Sequence, residues 1–223
     1  MTTIINYPEV IARFDKVLAR GLSNGLGERG GQVCIEAALC EALGLPHGDD
    51  PKCVAESVRI YKIRLNDSCW SSSAARAAGL RDLGIAQLGS KDTVNDLEFT
   101  KRLAKKTIQQ LIPALFRELF PGNVKLLACA DKCEAEGSAA SAKEAQAWAE
   151  AAAAEAAWAA AEAEEAEAAE AAAAEAAWAE AAAAAEAAAS SAKNPDKYLL
   201  LSASLALEVL RELKSPGVEW LGR

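Results

Sequence analysis

Six cysteines and a single histidine carry the strongest chemistry in this 223-residue chain. Cys34 opens an apolar run, where the positive end of a helix dipole would stabilise a thiolate and lower its pKa. Any Cys/His dyad must use His47, the one histidine present. The run from Val33 to Leu43 makes a helix of roughly 16 Å, and His47 follows its far end, so helix length argues against pairing with Cys34. Cys40, His47 and Cys53, with Asp49 or Asp50, gather around that far end and are the candidate metal ligands. Their spacing is not that of a zinc knuckle. The expectation is therefore no bound metal or cofactor, with the cysteines, including Cys129 and Cys133 four residues apart on one helical face, acting as small buried hydrophobes.

Two further stretches have polar chemistry. Gly27, Arg29, Gly30, Gly31 and Gln32 precede a helix start, where free amide groups favour an anion. No strand precedes them and no lysine follows in a P-loop pattern, so a tight interhelical turn is the competing reading. Lys101, Arg102, Lys105 and Lys106 form a basic stripe along a later helix. Such a stripe suits a solvated face, or a docking surface for the chain's own acidic arm, residues 138–193. Without interleaved aromatics it does not suit nucleic acid.

The elements that must position these groups are all helical, and no stretch reads as a strand. Residues 1–137 are expected to form a compact bundle of about six helices. The first follows Pro8, with Val10, Ile11, Phe14, Val17, Leu18 and Leu22 on one face. The second, Val33 to Leu43, carries only Glu36 and Glu41 as charges and belongs at the centre of the core. Asp50-Pro51 reads as the cap and first position of a third, with Val54, Val58, Tyr61 and Leu65 on its stripe. Serines after Trp70 cap a fourth, in which Gly79 and Gly84 admit a close neighbour. A fifth runs from after Asp92 and Thr93 to about Phe120, and Pro113 is expected to kink it or to divide it into two segments. Asn123 opens a sixth and Gly137 ends it.

Residues 138–193 are an alanine and glutamate tract without glycine or proline, a strong helix signal. Ser138 is placed to cap it. Straight, it would span on the order of 75 Å. At about 100° per residue, Trp158 and Trp178 fall near 280° and 120° from Trp148, so the tryptophans form no single seam. The glutamates scatter likewise, which fits a solvated arm or, through small alanine side chains, close packing of a neighbouring helix. Eleven glutamates against Lys143 and Lys193 give the tract a charge of −9, within a chain total of −8. These carboxylates exclude a membrane span, and a basic surface suits the arm better than another arm.

Residues 194–223 complete the chain as an amphipathic helix after Pro195 and a tail with Trp220. A straight arm would deliver this helix far from residues 1–137, so it is expected to dock on another subunit, the alternative being a return to its own domain. The chain opens without a basic and apolar leader, which with the thiol content suggests a cytoplasmic protein. The function expected is that of a non-enzymatic helical scaffold or interaction protein, self-associating through the arm and last helix or binding another protein. The competing class is a binder of a small anionic ligand, or a thiol-dependent enzyme, at the glycine-rich turn and the second helix.

Overall fold

The computed structural model describes residues 6–145, 147 and 194–222, and among them every regular element is a helix and none is a strand. In chain order these are α1 (Tyr7–Leu18), α2 (Ile35–Ala42), α3 (Glu56–Asp67), α4 (Ser73–Ala86), α5 (Asp96–Lys106), α6 (Ile112–Leu119), α7 (Val124–Glu136) and α8 (Pro195–Glu212). Two compact units result: Met1–Phe99 together with Asn194–Arg223, and Thr100–Lys193.

The first unit centres on α2, which packs against α1, α3 and α4. Every α2 residue except Glu41 is buried, as its near-absence of charge implies. The two helical glycines of α4 are needed for packing. A Cβ on Gly79 would lie 2.4 Å from the Trp70 ring, and one on Gly84 would lie 2.6 Å from Phe14. Arg81 holds α4 to α1 through a two-pronged ion pair with Asp15 at 2.7 and 2.9 Å.

The last helix does not need another subunit to cover it. It packs on α4 and α3 of its own chain, burying Tyr198, Leu199, Ala203, Leu205, Ala206, Val209 and Leu210. The Asp196 carboxylate accepts from the Ser71 backbone N–H at 2.8 Å and from the Ser71 hydroxyl. Beyond α8, the Ser215 hydroxyl donates to the Ala86 carbonyl at 2.5 Å and the Gly217 N–H donates to the Leu88 carbonyl at 3.0 Å. Tyr7 and Trp220 stack with ring centroids 5.3 Å apart, closing the unit. The length argument assumed a straight arm, but residues 148–193 lie outside the described residues.

The first helix ends at Leu18, so Leu22 reaches the core from the loop beyond it and not from the helix face. Two further helix boundaries differ from the sequence reading for local reasons. Asp50 does not cap α3: its carboxylate turns onto the Lys52 N–H at 3.0 Å, Lys52 takes a positive φ of 62°, and α3 starts only at Glu56. The expected division of the fifth helix into two segments is present as α5 and α6, but the interruption falls before Pro113 and not at it. The ladder widens into a π-helix over Thr107–Leu111 and resumes as α6, with Pro113 in its first turn. A widened turn accommodates the missing N–H and the ring's clash with the preceding carbonyl.

In the second unit α6 packs on α7, with Arg117 paired to Asp131 at 2.8 Å and to Glu134. Asn123 caps α7 by accepting from the Leu126 N–H at 3.2 Å, and Gly137 ends it at φ 58°. Residues 139–145 are helical, and the Ser138 hydroxyl accepts from the Ser141 N–H at 3.1 Å as their cap.

Candidate functional site

The glycine-rich turn is built by side chains that arrive from α3 and α4. Asn66 is fully buried; its carbonyl oxygen accepts from Ile35 N–H at 3.1 Å and its amide donates to the Ser23 carbonyl at 2.9 Å. Arg76 spends its buried guanidinium on backbone, donating to the carbonyls of Asn66 at 2.7 Å and Leu22 at 2.9 Å. Asp67 accepts from Gly25 N–H at 2.8 Å. The turn closes on itself where Glu28 N–H meets the Gln32 carbonyl and Cys34 N–H meets the Leu26 carbonyl, both at 3.1 Å. A Cβ on Gly27 would lie 2.2 Å from the Gln32 carbonyl, so that position admits only glycine.

These bonds bear directly on the anion reading. The Gln32 side chain is used internally, donating to the Arg20 carbonyl at 2.9 Å and to the Ser73 hydroxyl at 3.3 Å. Of the amides at the start of α2, Ile35 N–H is taken by Asn66 and Ala37 N–H by the Cys34 sulfur at 3.4 Å. Arg29, Gly30 and Gly31 remain exposed on the outer side of the turn. The groups are thus neighbours, but the Gln32 amide and the Ile35 and Ala37 N–H groups, which would have to turn to an anion, are engaged.

Cys34 is buried at 3% exposure, and burial pushes its thiol up, against the lowering by hydrogen bonds from Ala37 and Glu36 backbone. That is the reverse of thiolate activation. His47 does return to the turn despite the length of α2, because the loop after the helix folds back: Nε2–H donates to the Gly27 carbonyl at 3.2 Å. No hydrogen bond joins it to Cys34. Cys40, His47 and Cys53 are not assembled as ligands, since no group of three His, Cys, Asp or Glu side chains among the described residues could hold a metal ion. Burial pushes Cys40 up to about 12, with Glu36 adding to the effect, and also raises Cys53.

A polar cluster that the chemistry of cysteine and histidine did not point to lies beneath this turn. Glu36 of α2, Lys62 of α3 and Gln87 at the end of α4 are all fully buried. Lys62 Nζ is 3.3 Å from Glu36 Oε1, and Gln87 Nε2 donates to Glu36 Oε2 at 3.0 Å. Burial raises the Glu36 carboxyl even though Lys62 and Gln87 pull it down, and burial lowers the Lys62 ammonium against the pull of Glu36. Desolvation is the larger effect on both, while the attraction between the two groups favours the charged pair. The sequence did hold a signal. A helix buried on all sides must bury Glu36, and Lys62 lies four residues after Val58 and three before Leu65, on the same apolar stripe.

The basic stripe lies on α5, with Lys101, Arg102 and Lys105 exposed and Lys106 half-buried. In the second unit an open depression of about 280 Å³ is lined by Lys125, Ala128, Cys129, Lys132 and Glu144. Within it Lys132 and Glu144 pair at 2.5 Å. Trp148, Trp158 and Trp178 lie outside the described residues.

No family model, curated protein or solved structure matches this chain. The chemistry must therefore be judged on geometry alone. The nucleophile candidate is buried and raised, the helix amides are capped, and the charged cluster has no exposed atom on which a substrate could act.

Proposed function

We propose that this is a non-enzymatic interaction protein, in which a closed helical platform carries the acidic segment 138–193 for binding a basic surface on another protein or on a copy of itself. The observation that supports it most is Tyr61. Its ring meets Phe99, where the chain leaves the platform, edge-on at 6.3 Å, and its hydroxyl donates at 2.8 Å to the carbonyl of Ser202, just after the chain returns. One buried residue thus ties together both ends of everything between. The platform is built across the inserted residues, as suits a holder for a functional segment.

The acidic charge is concentrated in that insertion, and the remainder of the chain is nearly neutral. No helix among the described residues is long and apolar enough to cross a membrane. All six cysteines are free, which suits a reducing compartment such as the cytoplasm. Since α8 packs on α3 and α4 of its own chain, assembly is proposed through the insertion and not through α8.

The test compares the intact chain with one lacking residues 145–189, by light scattering and by binding to a lysine-rich test peptide at low and high salt. Expected is salt-sensitive binding or association in the intact chain only, with cooperative unfolding kept in the deletion. Equal behaviour of the two chains, or an unfolded deletion, would sink the proposal.

A further inference from the structure

The buried cluster has a donor and acceptor balance of its own. Gln87 Nε2 and Glu36 Oε2 satisfy each other at 3.0 Å. Glu36 Oε1, Lys62 Nζ and Gln87 Oε1 have no hydrogen-bonding partner among the protein groups. Lys62 Nζ and Glu36 Oε1 attract each other at 3.3 Å, a separation longer than the about 2.7–2.9 Å usual for a charge-assisted hydrogen bond. Three unmet polar atoms in one fully buried cluster is an exception to the rule that buried polar groups are bonded.

The three atoms ask for at least one acceptor, for an N–H of the Lys62 ammonium, and two donors, for the two oxygens. Turning the Gln87 amide over does not supply them, because its oxygen would then face the Glu36 carboxylate. A cation is opposed by the Lys62 ammonium, and an anion by the Glu36 carboxylate. A single water molecule has the required set: it accepts one hydrogen bond and donates two, and about three bonds is usual for buried water. We infer that the core of the first unit contains a binding site for one internal water, held by Lys62 from α3, Glu36 from α2 and Gln87 from the end of α4. The water joins three helices at one point and bridges ammonium to carboxylate, giving the pair a path for proton exchange without bulk solvent.

A crystal structure of the intact chain that resolves ordered waters decides the question. Expected is one fully occupied water at about 2.6–3.2 Å from all three atoms. Oxygen-17 relaxation dispersion then counts long-lived internal waters in solution, and Gln87→Leu, which removes one arm and fills the space, is expected to lower that count by one. Density without a water touching all three atoms, direct bonding among the three side chains, or an unchanged count in folded Gln87→Leu overturns the inference. Should Gln87→Leu fail to fold, the crystal structure of the unsubstituted chain still decides.

Discussion

Replacing Lys62 with methionine keeps the length of the side chain and removes its ammonium, leaving Glu36 fully buried with Gln87 as its donor. Breaking a buried pair from one side costs about 3–5 kcal/mol, against a total stability of about 5–15 kcal/mol. For a unit of this size the unfolding midpoint falls by on the order of 10–20 °C. The loss also depends on pH, and its sign follows from Glu36. Burial already raises its carboxyl above the ordinary value, and losing the Lys62 charge raises it further. The folded variant then holds a proton that the unfolded chain releases. Its stability is fully present below the unfolded pKa of about 4.3 and declines by up to about 1.4 kcal/mol per pH unit as pH rises to the folded value. Replacing both partners, as Glu36→Leu with Lys62→Met, removes the desolvation cost on each side and is expected to be neutral or to gain about 1–4 kcal/mol. Urea unfolding of the three variants between pH 5 and 8 is the assay. A Lys62→Met variant that loses less than about 1 kcal/mol with no pH slope would mean that the pair reaches water, and the reasoning fails.

Tyr61→Phe removes the bond to Ser202 and is expected to cost about 1 kcal/mol in thermal unfolding. Burial pushes the Tyr61 hydroxyl up to about 12, so an absorbance titration should contain a component there that Tyr61→Phe removes; stability from this group is whole below pH 10 and lost as pH rises through 12. Among the thiols, Cys69 is exposed, Cys40 and Cys133 are pushed up to about 12 and about 11 by burial, and Cys34, Cys53 and Cys129 are also raised. A thiol reagent at pH 8 should therefore show one fast phase, which Cys69→Ser abolishes; fast reaction of Cys34 would revive thiol chemistry. Gly217→Ala places a Cβ 2.0 Å from the Ile85 carbonyl and is expected to cost about 1–3 kcal/mol. Gly48→Ala, where nothing lies within 4 Å, serves as its control and should stay within about 0.5 kcal/mol.

What could be read from the residues alone was whatever depends on neighbours within a turn or two. The Asn123 cap and Gly137 stop of α7, the Ser138 cap, the all-helical class and the close neighbours of Gly79 and Gly84 are of this kind, since propensity, capping and apolar spacing are local properties. Asp50 shows the limit even there, because a cap and a tight turn compete for the same carboxylate and the lysine two residues on decided it. The candidate site was legible only in part. The glycine-rich turn was found, but its donors are engaged, Ile35 N–H by Asn66, Gly25 N–H by Asp67 and the Gln32 amide by Arg20 and Ser73, across separations of 12 to 42 residues.

Tertiary structure alone decided that His47 folds back to Gly27, that α8 closes its own platform across an insertion, and that Glu36, Lys62 and Gln87 meet in the core. Each of these joins residues far apart in the chain, where no local preference reports on pairing. The physical reason is that burial is a property of the assembled helices. A glutamate in an apolar helix and a lysine on an apolar stripe are each unfavourable alone, and they become a pair only when α2, α3 and the end of α4 enclose them together.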